Sequence, residues 1–301
     1  MKIAITGATG LIGSALVPRL WAENHQVVRL VRNAPQPGQI YWNPGKGELD
    51  PASLEGIDAF IHLAGETIAG VRWTTAKKRR ILESRVKGTR LLAETFAKMQ
   101  RPPTVMLCAS AIGFYGNRGD ELLTEESAIG GGFLAEVVQA WEGACAPAKG
   151  TTRVVNPRIG IVVSRDGGAL KPLLPIFNLG LGGRTGSGRQ YWSWVSLEDV
   201  VGAFLFALSN ESLHGPVNVT APNPVTNAAF AKTLGRVLSR PAIVWTPGLV
   251  MRLLTGEMAK ELILFGARVT PAKLLANGYA FAHTDLEPAL RDILKKPAKR
   301  P

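Results

Sequence analysis

The chain has 301 residues, of which 46% are hydrophobic and 19% charged. That is a globular composition and not that of a disordered chain, and the length fits one large domain or two. The formal net charge of +12 raises nucleic acid as a partner. However, the cations are scattered apart from Lys77–Arg80 and the tail residues Lys295, Lys296, Lys299 and Arg300, with no interleaved aromatics, so they read as a solvated helix face and a tail.

In chain order, a short apolar β run at 2–6 leads into a glycine-rich turn and an amphipathic helix over 11–22. Strands are expected at 25–31, 39–42 and 59–64, a long helix over 74–99, a strand at 104–109, a helix over 133–146 and a strand at 152–156. This alternation predicts an α/β fold, a Rossmann-type doubly wound parallel sheet, over 1–165. After about 165 the pattern changes to Gly and Pro punctuation. A helix at 197–209 and a strand at 217–220 follow, so 195–222 is a candidate to complete the sheet. The remainder of 166–301 reads as a smaller, mixed substrate lobe, mostly helical over about 245–295. No apolar run reaches the roughly 18 residues of a membrane span, and Met1–Gly10 lacks the apolar stretch of a signal peptide. No membrane partner and a cytoplasmic location are therefore expected. Cys108 and Cys145 have no metal or redox spacing and read as two buried, reduced thiols. No histidine or carboxylate spacing suggests a metal site.

The turn after the first strand reads Thr6-Gly7-Ala8-Thr9-Gly10-Leu11-Ile12-Gly13, a GxxGxxG spacing between strand and helix. Gly7 permits the tight turn, Gly10 lets the backbone approach a pyrophosphate, and Gly13 allows close packing of the helix. The free N–H groups from Thr9 to Ile12 and the helix dipole then favour phosphate. A dinucleotide is the expected ligand. The second strand ends Leu30-Val31-Arg32-Asn33. A site for NAD(H) places Asp or Glu there to hold the ribose hydroxyls. Here the carboxylate is missing, and Arg32 is suited to a 2′-phosphate. The expected cofactor is NADP(H).

TGATGLIG at 6–13, HLAGE at 62–66, SAIGFYG at 110–116, PRIGIVVSRDGGAL at 157–170 and LGLGGRTGSGRQYWSWVSLEDV at 179–200 resemble the extended short-chain dehydrogenase/reductases. More narrowly they resemble their atypical, epimerase-like branch with a C-terminal domain of uncharacterised function. The resemblance spans the chain. It implies an NADP-binding Rossmann domain with Leu63, Ala64 and Gly65 beside the adenosine and ribose, a small C-terminal substrate lobe, and relatives that often form homodimers.

The family's catalytic positions are altered. The Asn position on the long helix holds Arg85, the Ser/Thr position holds Ala111, and the Tyr and Lys positions fall on Leu134 and Val138. Neither of the last two can transfer a proton. Ser110 and Tyr115 are the candidate substitutes, as hydrogen-bond donors to a substrate carbonyl. Tyr115 has no Lys beside it to lower its pKa and would remain a donor. Arg85 is a candidate for the cofactor phosphates, Glu66 for a general base, and Arg158 for a substrate or cofactor anion. Arg189, Trp192 and Trp194, polar, basic and aromatic together, suit a flat or anionic ligand. The reading that follows is an NADP(H)-dependent oxidoreductase on an unidentified small carbonyl or alcohol. A non-catalytic NADP(H)-binding sensor or scaffold is the alternative, and a sugar-nucleotide epimerase comes third because its Tyr-Lys pair is missing.

Overall fold

The computed structural model describes residues 1–70 and 72–295. Lys296, Lys299 and Arg300 of the basic tail lie outside the described residues.

The strand β1 (Lys2–Thr6) runs into α1 (Leu11–Ala22), followed by β2 (Gln26–Val31), β3 (Gln39–Asn43), the two-residue β4 (Glu48–Leu49) and β5 (Ala59–His62). The long α2 (Thr75–Phe96) leads to β6 (Val105–Cys108), β7 (Ser110–Ala111), β8 (Leu122–Leu123) and α3 (Phe133–Gly143). Then come β9 (Arg153–Ile159), β10 (Ile161–Val163), α4 (Leu170–Asn178), β11 (Tyr191–Trp192), β12 (Trp194–Ser196), α5 (Leu197–Ser209) and β13 (Gly215–Val219). The C-terminal part carries β14 (Val225–Thr226), α6 (Asn227–Leu238), α7 (Gly248–Thr255), α8 (Glu257–Ala259), β15 (Arg268–Val269), α9 (Ala272–Ala276) and α10 (Leu286–Ile293).

The main sheet has the order β13-β9-β6-β5-β1-β2-β3-β4, with β7 also on β9. Its pairs are parallel except β3 with β4. Because β1 lies between β2 and β5, connections leave it in opposite directions. Such a reversal opens a crevice at the carboxyl ends of the strands. Strand alternation sends Ile3 and Ile5 to one face, where they meet Leu16 and Leu20 of α1 and Phe204 of α5. Ala4 and Phe60 go to the other, with Leu92 and Phe96 of α2 and Trp141 of α3. The segment after β12 returns to this sheet, since α5 packs in the first core and β13 pairs with β9 along Val155–Ile159.

Some boundaries differ from the sequence reading. Strand β9 continues through Pro157, where a stop was expected at 156. Pro157 lies opposite the break between β6 and β7: Leu107 pairs with Val155 and Ser110 with Arg158. No ladder partner on that side is lost by the missing N–H. Helices α4 and α6 were not anticipated. Both pack on a third core built from Trp192, Trp194, Phe230, Leu234 and Leu290, so tertiary burial outweighs the Pro and Gly content of 170–182. The 245–295 stretch contains α7, α8, α9 and α10, interrupted by the short β15.

Candidate dinucleotide cleft

A cleft of about 710 Å³ opens at the carboxyl edge of β1, β2 and β5. Its floor is the glycine turn. Gly7 has φ +70°, and a Cβ there would stand 2.7 Å from the Leu63 carbonyl carbon. The end of β5 therefore seats directly on the turn. At Gly13 a Cβ would fall 2.3 Å from the Gly7 oxygen and 2.7 Å from Ala8 Cα. Gly13 thus serves the closure of the turn on its own helix, where helix packing on the sheet was expected. Gly10 is less crowded, with only the Gly7 oxygen at 3.4 Å.

The start of α1 has no side-chain cap and no acid in its first turn. Helices α2, α5 and α6 are capped by Thr74, Ser196 and Thr226, whereas α1 shares its lack of a side-chain cap with α3, α4, α7 and α10. The first N–H groups of α1, beginning at Leu11 and Ile12, carry partial positive charge and are left for an anion. This chemistry fits a pyrophosphate, which would occupy the mouth of the helix.

Gly7, Thr9 and Gly10 line the cleft, with Val31 and Arg32 from the end of β2 and Leu63, Ala64 and Gly65 after β5. Leu11, Ile12 and Gly13 are not among the lining residues, so the first two can reach a ligand only through their N–H groups; the Leu11 side chain packs on Gly167. Arg32 is exposed at the rim and has no hydrogen bond or ion pair among the described residues. The sequence reading missed several lining residues: Arg29, Trp42, Arg80, Ser84 and Lys87. Two periodicities held the signal. Arg29 and Val31 share a strand face at spacing two, and 80, 84 and 87 share a helix face at spacings of four and three. The Lys77–Arg80 run is consequently more than a solvated face. Lys77 is buried and donates to Glu66 Oε1 at 2.6 Å, Lys78 pairs with Glu257 at 3.0 Å, and Arg80 reaches Glu66 at 3.6 Å.

Those contacts change the reading of Glu66. The hydrogen bond from Lys77, assisted by the charges of Lys77 and Arg80, holds its carboxyl below the usual range. It lines the cleft as an ion-paired carboxylate, a poor general base. Arg85 turns away from the cleft. It donates to the Glu66 and Ile81 carbonyls and lies 5.0 Å from the Trp141 ring centroid. Burial pushes its guanidinium down to about 10, partly opposed by Glu66. The expected reach to cofactor phosphates is replaced by support of the Gly65–Glu66 backbone.

The proposed substrate donors are committed to a buried network. Ser110 donates to Glu142 Oε1 at 2.6 Å. Arg158 grips Glu142 with Nε–Oε1 and Nη2–Oε2 both at 2.8 Å, and its Nη1 donates to the Tyr115 hydroxyl at 3.0 Å. Tyr115 is fully buried and donates to Asn218 Oδ1 at 2.7 Å. Burial raises its pKa although Arg158 opposes the shift. The hydroxyl, the guanidinium and the carboxylate satisfy one another, so none faces the cleft as a free donor, contrary to expectation. Leu134 and Val138 do meet the turn after β7: a Cβ on Gly113 would stand 3.2 Å from Leu134 Cβ and 3.9 Å from Val138 Cγ2. The place implied for Tyr and Lys is apolar.

Trp192 and Trp194 are also core residues. Trp192 packs on Phe230 at 5.0 Å, and the fully buried Trp194 donates to the Asn223 carbonyl at 3.1 Å. They hold the C-terminal lobe together and do not present a ligand surface. Arg189 is exposed and lies outside the cleft. Cys108 and Cys145 are free and buried. One grouping with metal-ligand geometry was not visible in the sequence: Glu198, His283 and Asp292 converge within 4.8 Å in a separate cleft of about 450 Å³. There His283 Nε2 is already hydrogen-bonded to Asp292 Oδ2 at 3.1 Å. Among the described residues, no helix is long and apolar enough to cross a membrane.

Residues 3–133 match the NAD dependent epimerase/dehydratase family, and 246–293 match a domain of unknown function, DUF1731. Epimerase family protein Mb2239 of Mycobacterium bovis is 43% identical over 98% of both chains. The human epimerase family protein SDR39U1 is 36% identical over 98% of this chain and 100% of its own. A crystal structure of human SDR39U1 with NADPH superposes with a TM-score of 0.91 at 34% identity, covering 98% of this chain and 99% of that one. The Rossmann-like fold is thus shared along nearly the whole length, and the chain belongs to the epimerase family of extended short-chain dehydrogenase/reductase fold.

Proposed function

We propose that the chain binds NADP(H) in the β1–α1 cleft and works as an oxidoreductase on a small carbonyl or alcohol, without the Tyr-Lys pair. One observation carries the cofactor: an uncapped helix start and glycine turn share a cleft with Arg32, and no carboxylate ends β2. The NADPH in the human relative's crystal structure supports the same reading. In this arrangement the glycine turn and the first turn of α1 hold the pyrophosphate, and Arg32 pairs with the 2′-phosphate. The cofactor supplies hydride chemistry, and the protein supplies binding and orientation.

The closed Ser110–Glu142–Arg158–Tyr115 network favours a second reading, in which the cofactor is bound and sensed but not turned over. The epimerase reading ranks third: the chain keeps the family's fold, but Leu134 and Val138 stand where proton transfer would occur.

The test is titration with NADPH and NADH, followed by cofactor fluorescence, for the native chain and Arg32→Ala. The expected result is tighter NADPH binding, weakened about ten- to a hundredfold in the variant, with NADH binding unchanged; that matches the roughly 1.5–3 kcal/mol of a charge-assisted hydrogen bond. Equal affinity for both cofactors would overturn the assignment of Arg32. Single-turnover oxidation of bound NADPH against a carbonyl panel separates the oxidoreductase from the sensor.

A further inference from the structure

Among the described residues, most of the exposed large apolar side chains fall in two segments, 176–181 and 243–253. The first is the end of α4 and the loop after it; the second enters α7. Backbone bonds stitch them into one face. Val244 N donates to the Gly182 carbonyl at 3.2 Å, Thr246 N to Arg184 at 3.0 Å, and Gly186 N to Thr246 at 2.9 Å. Arg240 Nε donates to the Asn178 carbonyl at 3.0 Å and Trp245 Nε1 to Gly186 at 2.9 Å. The side chains on this face project. Ile243 is 85% exposed, Leu179 75%, Leu253 69% and Leu249 68%. Projecting apolar side chains gathered on adjoining segments in this way mark an interaction surface.

Its charge is one-sided. No Asp or Glu occurs between Asp166 and Glu198, or between Glu211 and Glu257, whereas Lys171, Arg184, Arg189, Arg240 and Arg252 all lie in those stretches. The carboxylates that follow α7 are engaged elsewhere: Glu257 with Lys78, and Glu261 with the Phe133 and Leu134 N–H groups at 2.7 Å each. The Arg184 guanidinium stands 5.6 Å from the Trp245 ring centroid, which keeps cation and aromatic together at the rim.

We propose that this face docks the protein peripherally on an anionic lipid surface. Leu, Ile and Trp side chains that project from loop ends and a short helix enter the headgroup–acyl boundary without needing a shaped groove. The surrounding Arg and Lys stems lie along that boundary with their heads in the anionic layer. A two-fold contact with a second copy would bring Arg184 and Arg240, which border this face, and Arg252 of α7 toward their own counterparts, which electrostatics opposes. The docking adds a partner that the sequence reading did not expect, and it needs no spanning helix.

The experiment is flotation of the full chain with vesicles of phosphatidylcholine alone and of phosphatidylcholine with phosphatidylglycerol. It is repeated at raised salt and with Leu249→Ser/Leu253→Ser. NADPH titration of each variant serves as the folding control, and sedimentation velocity follows the oligomeric state. The expected result is salt-sensitive binding to the anionic vesicles only, weakened about tenfold or more by the double substitution while NADPH affinity is retained. Absence of binding to anionic vesicles would overturn the proposal, as would binding that the double variant leaves intact. A native dimer lost in the variant, with no lipid binding, would assign the face to a second copy. If the double variant loses NADPH binding, Ile243→Ser, in a loop outside any helix, carries the same comparison.

Discussion

The Thr6 hydroxyl lies 2.6 Å from His62 Nδ1, linking the ends of two neighbouring strands beneath the cleft. The same oxygen accepts from Leu63 N at 3.2 Å and Ala64 N at 3.3 Å. The hydroxyl thereby ties the buried imidazole to the backbone that follows β5. The segment that seats on Gly7 is held by this relay. Thr6→Val should cost about 1–3 kcal/mol by leaving polar groups unpaired, and should weaken NADPH binding. Denaturant unfolding and cofactor titration read the two effects.

His62 also sets a pH dependence. Burial, then the nearby Arg85 charge, pushes its pKa from 6.5 to about 3. Between those values the unfolded chain binds a proton that the folded chain refuses. The stability from neutral His62 is therefore complete above pH 6.5 and falls as the pH drops toward 3, by about 1.4 kcal/mol per pH unit within that window. Urea unfolding at pH 7 and pH 5 should show the loss, and His62→Asn should flatten it. An unchanged slope in the variant would place the acid sensitivity in other groups.

Two glycines of one motif should behave differently. Gly13→Ala places a Cβ 2.3 Å from the Gly7 oxygen, a backbone atom that cannot move without opening the turn. It should lose at least about 2 kcal/mol of stability, in the range of overpacked positions, and abolish cofactor binding. Gly10→Ala meets only ordinary contact at 3.4 Å. Its stability should stay within about 1 kcal/mol of the native chain while NADPH binding drops, because the added methyl intrudes on the phosphates. Thermal unfolding with and without NADPH distinguishes the pair.

The buried network gives the test of Tyr115. If its hydroxyl only joins Asn218 to Arg158, Tyr115→Phe should cost about 1–2 kcal/mol and leave NADPH affinity unchanged. Glu142→Ala should cost more, about 3–5 kcal/mol, because it strands the buried Arg158 guanidinium. A Tyr115→Phe variant of native stability but without turnover would return the residue to substrate chemistry.

The sequence by itself determined the alternating β/α order, the glycine turn and the missing carboxylate after β2. Each is local, because strand period, turn chemistry and helix start are written within a few neighbouring residues. Direction of approach is a different matter. Ser110, Tyr115 and Arg158 do lie at the carboxyl edge of the sheet, as their positions implied. Whether they open on a cleft or close on one another depended on Glu142, 32 residues from Ser110, and on Asn218, 103 residues from Tyr115. Trp192 and Trp194 sit in a stretch that reads as ligand-binding but faces α6 and α10, helices later in the chain. The tertiary structure decided these cases because a polar or aromatic side chain is satisfied by whichever partner the fold brings within reach. That partner has no fixed spacing in the chain.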